Sequence, residues 1–133
     1  MATGKETVLN DYAFLVSETD EKGIIKFVND DFCEIAEYDI EELIGKPHNM
    51  VRHKDMPKKA FKSLWETVKS GNIWTGYVKN ATKSGGYYWV FATVYPFENS
   101  KGEKGYLSCR RKASIKEIDE YSKLYEQWIK EEK

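Results

Sequence analysis

The chain has 133 residues, which suits one compact domain and leaves no room for two of ordinary size. Its 21 basic and 22 acidic side chains give a net charge of -1, which argues against a dedicated nucleic-acid binder and against anchoring on an anionic membrane surface. A chain of this length can bury a core without help from disulfides or a metal.

Neither the cysteines nor the apolar stretches indicate secretion. Cys33 and Cys109 are far apart and sit among apolar residues, so we expect two buried, reduced thiols. The N-terminus has no apolar stretch of the signal-peptide type. The longest apolar stretch, residues 89–95, is far shorter than the ~20 residues that span a bilayer. We therefore expect a soluble, cytoplasmic chain without direct membrane insertion, either on its own or as a piece of a larger membrane receptor.

The first part of the chain predicts a β-hairpin behind a short N-terminal segment. Residues 1–11 are expected to form a flexible or short packed cap. The apolar runs at residues 12–19 and 24–29 are separated by a polar turn, and Gly23 can supply the positive φ that this turn needs.

Two short helical segments are expected after the hairpin. Asn29 or Asp30 can cap the first of them. Asp39 and Glu42 have the spacing of a capping box for the second, which ends at Gly45.

An irregular segment and an amphipathic helix come next. Residues 47–57 lack any periodic pattern, and Pro57 suits the first turn of the helix that follows. Gly71 is placed to end that helix as its C′ residue. The apolar stripe of the helix has helical spacing and consists of Phe61, Leu64, Trp65 and Val68.

The next part of the chain predicts three strands. They cover residues 74–83, 87–97 and 104–112, and turn sequences at residues 84–86 and 98–102 join them.

A C-terminal helix follows these strands. Ser114 and Glu117 form a second capping box, which opens a helix within residues 114–133. We expect this amphipathic helix to extend beyond the sheet, so that its apolar stripe needs a cover. The stripe consists of Ile115, Ile118, Tyr121, Leu124, Tyr125, Trp128 and Ile129.

The predicted order of elements is therefore β-β-α-α-loop-α-β-β-β. Its simplest layered arrangement is an α+β fold, a five-stranded antiparallel sheet with helices on one face. Residues 1–113 form the domain with its short N-terminal cap, and residues 114–133 form the C-terminal amphipathic helix.

The strand at residues 74–83 suggests a binding surface. Alternation places Trp74, Gly76, Val78 and Asn80 on one face. A glycine inside a strand usually marks a close approach, and beside a tryptophan it predicts a flat slot for a planar ring such as a flavin. Asn80 can donate and accept, as the edge of a flavin requires. The alternative is ordinary core packing that the glycine relieves, and from the pattern alone we favour that alternative.

The charged cluster in the irregular segment suggests an anionic ligand. Arg52 can make forked contacts to phosphate or to a carbonyl of the ring, with His53 beside it. Asp55 can orient either residue or accept from a ribose or ribityl hydroxyl. The alternative for Asp55 is a surface ion pair and a helix cap near Pro57.

The strand at residues 87–97 has two different faces. The smaller side chains would line a cavity under the helices, and they are Tyr88, Val90, Ala92 and Val94. The opposite face is too apolar to be left open to water, and it consists of Tyr87, Trp89, Phe91 and Tyr95. We expect the N-terminal segment, the C-terminal helix, a second copy or a partner to cover it.

The segment at residues 47–57, PHNMVRHKDMP, resembles the PAS domain of bacterial aerotaxis receptors. The resemblance continues through Ala60-Phe61, Leu64-Trp65, Gly71, Trp74, Gly76, Val78-Lys79-Asn80, Tyr88-Trp89-Val90, Ala92, Val94, Pro96 and Gly105-Tyr106.

The resemblance implies a PAS fold that binds FAD non-covalently and reports its redox state to chemotaxis signalling. Without this resemblance, the sequence does not distinguish FAD from FMN. The chain lacks the membrane segment and signalling coiled coil of such receptors, so we expect a chemoreceptor signalling domain in cis or in trans, and a homodimer is a further candidate. With the resemblance, the preference at residues 74–80 reverses in favour of the cofactor. The predicted cofactor site comprises Asn29, His48, Arg52, His53, Asp55, Trp74, Gly76 and Asn80.

Two other hypotheses remain open from the sequence. PAS domains also bind haem, and His48 or His53 could supply an axial ligand. The second hypothesis is a cofactor-free module that dimerises through the aromatic face and the C-terminal helix. No spacing of Cys, His or Asp builds a metal site.

Enzyme motifs are missing, so we expect no catalytic turnover. The segment at residues 47–57 contains no cysteine, which argues against a light-driven flavin adduct.

Overall fold

The computed structural model describes residues 4–132. Its order of elements is β1 Phe14–Asp20, β2 Ile25–Val28, α1 Asp30–Ala36, α2 Ile40–Leu43, a 3₁₀ helix at His48–Val51, α3 Lys58–Lys69, β3 Trp74–Ala81, β4 Tyr87–Glu98, β5 Lys104–Lys112 and α4 Ile115–Glu131.

The strands form one five-stranded antiparallel sheet in the order β2-β1-β5-β4-β3. The predicted α+β architecture is therefore confirmed, and β2 and β3 form the two edges. Strand β3 ends at Ala81 rather than at the expected residue 83, because Thr82 begins the turn to β4. The backbone N–H of Thr82 donates to the Gly86 carbonyl at 3.0 Å, and its hydroxyl accepts from the Gly86 N–H at 3.0 Å.

The caps that the sequence predicts hold the helices in place. Asn29 caps α1 with its side chain, and Asp39 and Glu42 form the expected capping box of α2. Two details differ from the prediction. Pro57 is the N-cap residue of α3 rather than part of its first turn, and the Glu117 carboxylate bonds to the Ser114 hydroxyl at 2.7 Å rather than to the backbone.

Contrary to the prediction, helix α4 does not extend beyond the sheet. It folds back onto the outer face, where the Tyr125 hydroxyl donates to the Tyr77 carbonyl at 2.6 Å and the Tyr125 ring stacks on Trp89. The aromatic face of β4 supplies the apolar surface that the stripe of α4 needs. Ile115 does not take part, since its side chain is 83% exposed.

The N-terminal segment packs against the domain. Glu6 forms a parallel bridge with Tyr87, and Leu9 is buried. Cys33 and Cys109 are free, as expected. They are only half-buried, whereas the sequence predicted buried thiols. No helix within residues 4–132 has the length and apolar character needed to cross a membrane.

Candidate functional site

A cavity of about 510 Å³ lies between the inner face of the sheet and the helical layer. Volumes of about 300–1,000 Å³ are usual for pockets that hold small molecules and cofactors. The roof is the segment from Pro47 to Arg52, whose ends are tied to opposite edges of the sheet. Pro47 forms a bridge with Ile24 beside β2, and Arg52 forms one with Asn80 of β3. The irregular segment therefore spans the cavity because both edge strands hold its backbone.

The sheet wall of the cavity has an apolar centre with polar atoms near it. Alternation along β3 and β4 brings Val78, Ala92 and Val94 to this wall, as predicted. Tyr88 and Val90, which were also predicted to line the cavity, are buried but do not reach it. Asn80 and Ser108 also line the cavity and are buried. Within residues 4–132 neither Asn80 Nδ2 nor Ser108 Oγ has a partner at good hydrogen-bond geometry, although the Tyr88 hydroxyl, itself without such a partner, interacts with Asn80. A buried polar group without a partner costs about 1–3 kcal/mol, so these atoms fit a ligand with polar edge groups.

The second wall of the cavity is aromatic and comes from α3. Trp65 and Phe61 line the cavity, and the Trp65 ring contacts Tyr106 of β5 at a centroid distance of 5.3 Å. The Arg52 guanidinium lies over the Phe61 ring at 3.7 Å, and partial burial lowers the pKa of Arg52. A tryptophan thus walls the cavity, but it is Trp65 of α3 and not the predicted Trp74.

A polar cluster at the cavity joins three elements. His48 Nε2 lies 2.9 Å from the Ser17 hydroxyl of β1 and 3.0 Å from the Arg110 guanidinium of β5. Arg110 also donates to Ser17 Oγ at 3.0 Å. Burial, and then the positive charge of Arg110, lowers the pKa of His48 to about 3. Since a guanidinium can only donate, Nε2 is the acceptor and the proton of the neutral ring sits on Nδ1.

The charges around the cavity are mostly positive. Exposed lining residues mark its opening, and they include Lys22, Lys69 and the carboxylate of Glu21. Arg52 and Arg110 lie among the remaining lining residues. Four cationic side chains therefore face one carboxylate, which suits an anionic ligand.

Trp74 and Gly76 do not form the open slot that the sequence predicts. The Trp74 ring folds over Gly76, where a β-carbon would lie 2.5 Å from two of its ring carbons. The indole N–H donates to the Ser63 hydroxyl at 3.2 Å. The glycine therefore makes room for the tryptophan, as the packing alternative proposed, and neither residue lines the cavity. A role for Trp74 in binding stays a prediction that requires the indole to move.

His53 and Asp55 point away from the cavity. His53 Nδ1 accepts from the Asp55 backbone N–H at 3.0 Å, and its ring packs edge-on against Tyr87. The Asp55 carboxylate pairs with Lys79 at 3.0 Å. Partial burial acts to raise the pKa of Asp55, but Lys79 outweighs it and holds that pKa below its ordinary value. Asp55 thus forms an ion pair, as the alternative interpretation proposed, but it does not cap helix α3.

Asn29 serves the fold in this structure. Its side-chain oxygen accepts from the Phe32 N–H at 3.1 Å and from the Val16 N–H at 3.0 Å, while its amide donates to the Phe14 carbonyl at 2.7 Å. These bonds tie α1 to β1. Of the eight predicted site residues, the structure brings His48, Arg52 and Asn80 to the cavity.

The lining residues that the sequence argument missed include Ser17, Trp65, Ser108 and Arg110. A signal for three of them was present. Ser17 shares the inward parity of β1 with Leu15, and Ser108 and Arg110 share that of β5 with Tyr106, so polar residues stand at core positions of otherwise buried strand faces.

The histidines are poorly placed for the haem hypothesis. His48 reaches the cavity, but its Nε2 is occupied by Arg110 and Ser17. His53 does not line the cavity. An axial ligand must offer a free nitrogen lone pair to the iron.

Comparisons with known proteins bear on the fold. The family model described as PAS fold matches residues 25–110. The chain is 44% identical over 123 residues to the aerotaxis receptor of Escherichia coli (strain K12), covering 92% of this chain and 24% of the receptor. It is 26% identical over 110 residues to the nitrogen fixation regulatory protein of Klebsiella pneumoniae, covering 82% of this chain and 22% of that protein. The chain thus spans about a quarter of these curated relatives.

A solved structure extends the comparison to the fold. A light-oxygen-voltage domain studied with a flavin analogue superposes with a TM-score of 0.67 at 20% identity, covering 90% of this chain and 87% of that one. This level of identity supports the shared fold and nothing finer.

Proposed function

The chain belongs to the PAS fold family, and from that premise we propose that it is a sensor domain that binds a flavin without a covalent bond. In this proposal it passes on the redox state of the flavin by protein contact and catalyses no turnover. The similarity to an aerotaxis receptor supports a place in chemotaxis signalling, on the cytoplasmic side and next to a chemoreceptor signalling domain in cis or in trans.

The observation that carries this proposal is the pair of unpartnered polar atoms on a cavity of cofactor size. Asn80 Nδ2 and Ser108 Oγ are buried, lack partners of good geometry within residues 4–132 and line the cavity together with Val78, Ala92 and Val94. A planar ring with polar edge atoms would satisfy both groups and contact the apolar sheet wall. A bound flavin would supply reversible redox chemistry, in which uptake of two electrons and one proton adds one negative charge to the ring.

Residues at the opening support FAD over FMN. The opening carries Lys22 and Lys69, which can compensate phosphate charge. A second, open groove along β4 and β5 shares Glu21, Lys69 and Tyr106 with the cavity. An elongated dinucleotide could lie with its ring in the cavity and its nucleotide half along this groove, whereas FMN would leave the groove empty.

The output route in this proposal runs through α3 and the sheet. Helix α3 forms a cavity wall, and the Lys59 side chain near its start lies 4.6 Å from the Trp128 ring of α4. A change in the cavity that shifts α3 therefore reaches α4 directly. Phe14 and Phe27, on the part of the outer face that α4 leaves open, are half-exposed and are candidates for contact with a partner or a second copy.

An absorption spectrum of the purified chain tests the proposal. We expect the bands of an oxidised flavin, their loss with dithionite, and FAD in the material released by heat and identified by mass spectrometry. Asn80→Leu should weaken flavin binding about tenfold, since about 1.4 kcal/mol is a usual contribution for one hydrogen bond at a buried edge. Asn72→Leu, at an exposed asparagine, is the matched control. A chain that takes up neither FAD nor FMN would refute the proposal.

A further inference from the structure

Arg110 is a buried cation without an anionic partner. Its side chain lies on the cavity and the residue is 6% exposed. Its hydrogen bonds go to Ser17 Oγ and His48 Nε2, each at 3.0 Å. Among residues 4–132 no carboxylate lies within ion-pair distance of it.

The neighbours of Arg110 cannot supply the missing charge. His48 is an acceptor from the guanidinium and is held neutral, and the serine is neutral as well. Tyr88, a phenol whose charge would act on Arg110, is fully buried, and this burial raises its pKa to about 12. The inner end of the cavity therefore carries one fixed positive charge.

An uncompensated charge of this kind is costly to keep in a fold. Removing a guanidinium from water costs several kcal/mol unless an anion and further hydrogen bonds offset it. A guanidinium has five N–H donors, and the hydrogen bonds of Arg110 go to only two side chains. The guanidinium also lies over the Phe32 ring at 5.5 Å, a contact that supplies no anion. Because Arg110 lines the cavity, its remaining donors and its charge can act on a molecule there.

We propose that Arg110 makes the cavity select negatively charged occupants over neutral occupants of the same shape. Where the occupant is the flavin of the proposed function, on which this part rests, Arg110 favours the more negative, reduced form over the oxidised form. The charge acts at short range in a site shielded from water, so it counts for more than the lysines at the opening.

A pair of dyes tests the selection without any flavin. Anilinonaphthalene sulfonate carries one negative charge, and phenylnaphthylamine has the same aromatic skeleton without it. We expect Arg110→Gln to weaken binding of the sulfonate about tenfold relative to the neutral dye in fluorescence titrations. Arg111→Gln removes the same charge one residue away on the outer face, beside Phe91, and should leave the ratio unchanged.

Two further variants guard against a folding artefact. Arg110→Lys keeps the charge and should keep most of the preference for the sulfonate. If Arg110→Gln does not fold, Arg110→Met offers an apolar side chain of similar length for the same comparison. Equal loss in Arg110→Lys and Arg110→Gln, or a change in Arg111→Gln as large as that in Arg110→Gln, would overturn the inference.

A redox titration tests the second part on the flavin-loaded chain. Arg110→Gln should weaken the preference for reduced over oxidised flavin about tenfold, which lowers the midpoint potential by about 30 mV for a two-electron couple. Arg111→Gln is again the control. If no flavin binds while the dyes behave as expected, the proposed function fails and the selection by charge stands. If flavin binds but Arg110→Gln changes neither the ratio of the dye affinities nor the midpoint potential, this inference alone fails.

Discussion

At the scale of single residues, His48 is a partly buried histidine whose pKa is strongly lowered. Its ring is packed edge-on against Phe32 and bonded to Arg110, so protonation would place two cations 3.0 Å apart in a buried site. Burial is the larger cause of its low pKa and the charge of Arg110 the second. The folded chain therefore holds His48 neutral at a pH where the unfolded chain protonates it.

This difference predicts a pH dependence of stability. His48 titrates near its ordinary value of 6.5 in the unfolded chain and at about 3 in the folded one. Because the unfolded state binds the extra proton, stability is lost as the pH falls from about 6.5 towards 3. We expect the free energy of unfolding to be about 2 kcal/mol lower at pH 5 than at pH 7.5 from this residue alone.

Urea unfolding of His48→Gln checks this expectation. Glutamine keeps an acceptor for Arg110 but does not titrate. In this variant the free energy of unfolding should therefore fall less steeply with decreasing pH. Carboxylates contribute equally to both proteins and cancel in the difference. His53→Gln is the comparison, since burial also lowers the pKa of His53 but its Nδ1 bonds to the Asp55 backbone N–H and not to Arg110. This variant should lose less of the pH dependence than His48→Gln. Identical slopes in wild type and His48→Gln would contradict the account.

At the scale of elements, the start of α3 depends on a residue at the far end of the chain. Pro57 occupies the N-cap position and provides no side-chain bond. Instead the Glu132 carboxylate accepts from the backbone N–H groups of Lys58 at 3.2 Å and Lys59 at 2.9 Å. These are the N–H groups that a helix leaves without partners, and a carboxylate also favours the positive end of the helix dipole. The two helices are thereby coupled.

Removal of this carboxylate should loosen both helix ends. Glu132→Ala is expected to cost about 0.5–1 kcal/mol in urea unfolding and to speed hydrogen exchange in the first turn of α3. Glu132→Gln should show a smaller effect, because it keeps an acceptor oxygen and loses only the charge. Glu131→Ala is the matched control, since Glu131 contacts Gln127 within α4 and not α3. Faster exchange in both alanine variants alike would argue against the cap.

At the scale of the whole molecule, one sheet serves two purposes on its two faces. The inner face carries the cavity, and the outer face carries aromatic rings that α4 covers. Tyr121 packs on Tyr77 at a centroid distance of 4.4 Å, and Tyr125 packs on Trp89 at 6.1 Å. Removal of α4 would therefore open these aromatic rings of the outer face to water.

A chain shortened after Ala113 should therefore associate with itself. We expect a concentration-dependent increase in mass by analytical ultracentrifugation, because the rings at Tyr77 and Trp89 become open to water. The full chain at the same concentrations is the first control. The shortened chain with Trp89→Lys is the second, and it should associate less. A shortened chain that stays monomeric at every concentration would refute the role of α4 as a cover.

Much of the fold followed from local patterns in the sequence. The order of the elements, the caps at Asn29 and Asp39, and the glycine at the end of α3 were all predictable, because each depends on residues close together in the chain. Period-two alternation also assigned Val78 and Asn80 to the inner face of β3 correctly.

What only the tertiary structure decided is which of these faces and side chains meet. Trp65 rather than Trp74 lines the cavity, because the Trp74 ring is already folded over Gly76. His53 and Asp55 lie outside it, because the backbone bridge at Arg52 turns their side chains towards Lys79 and Tyr87.

The cluster of Ser17, His48 and Arg110 shows the physical reason. These residues come from three distant parts of the chain, and strand order and register bring them within 3.0 Å of one another. A local pattern can assign a residue to a face of its own strand or helix. It carries no information about the partner across the sheet, because that contact is set by packing over the whole chain.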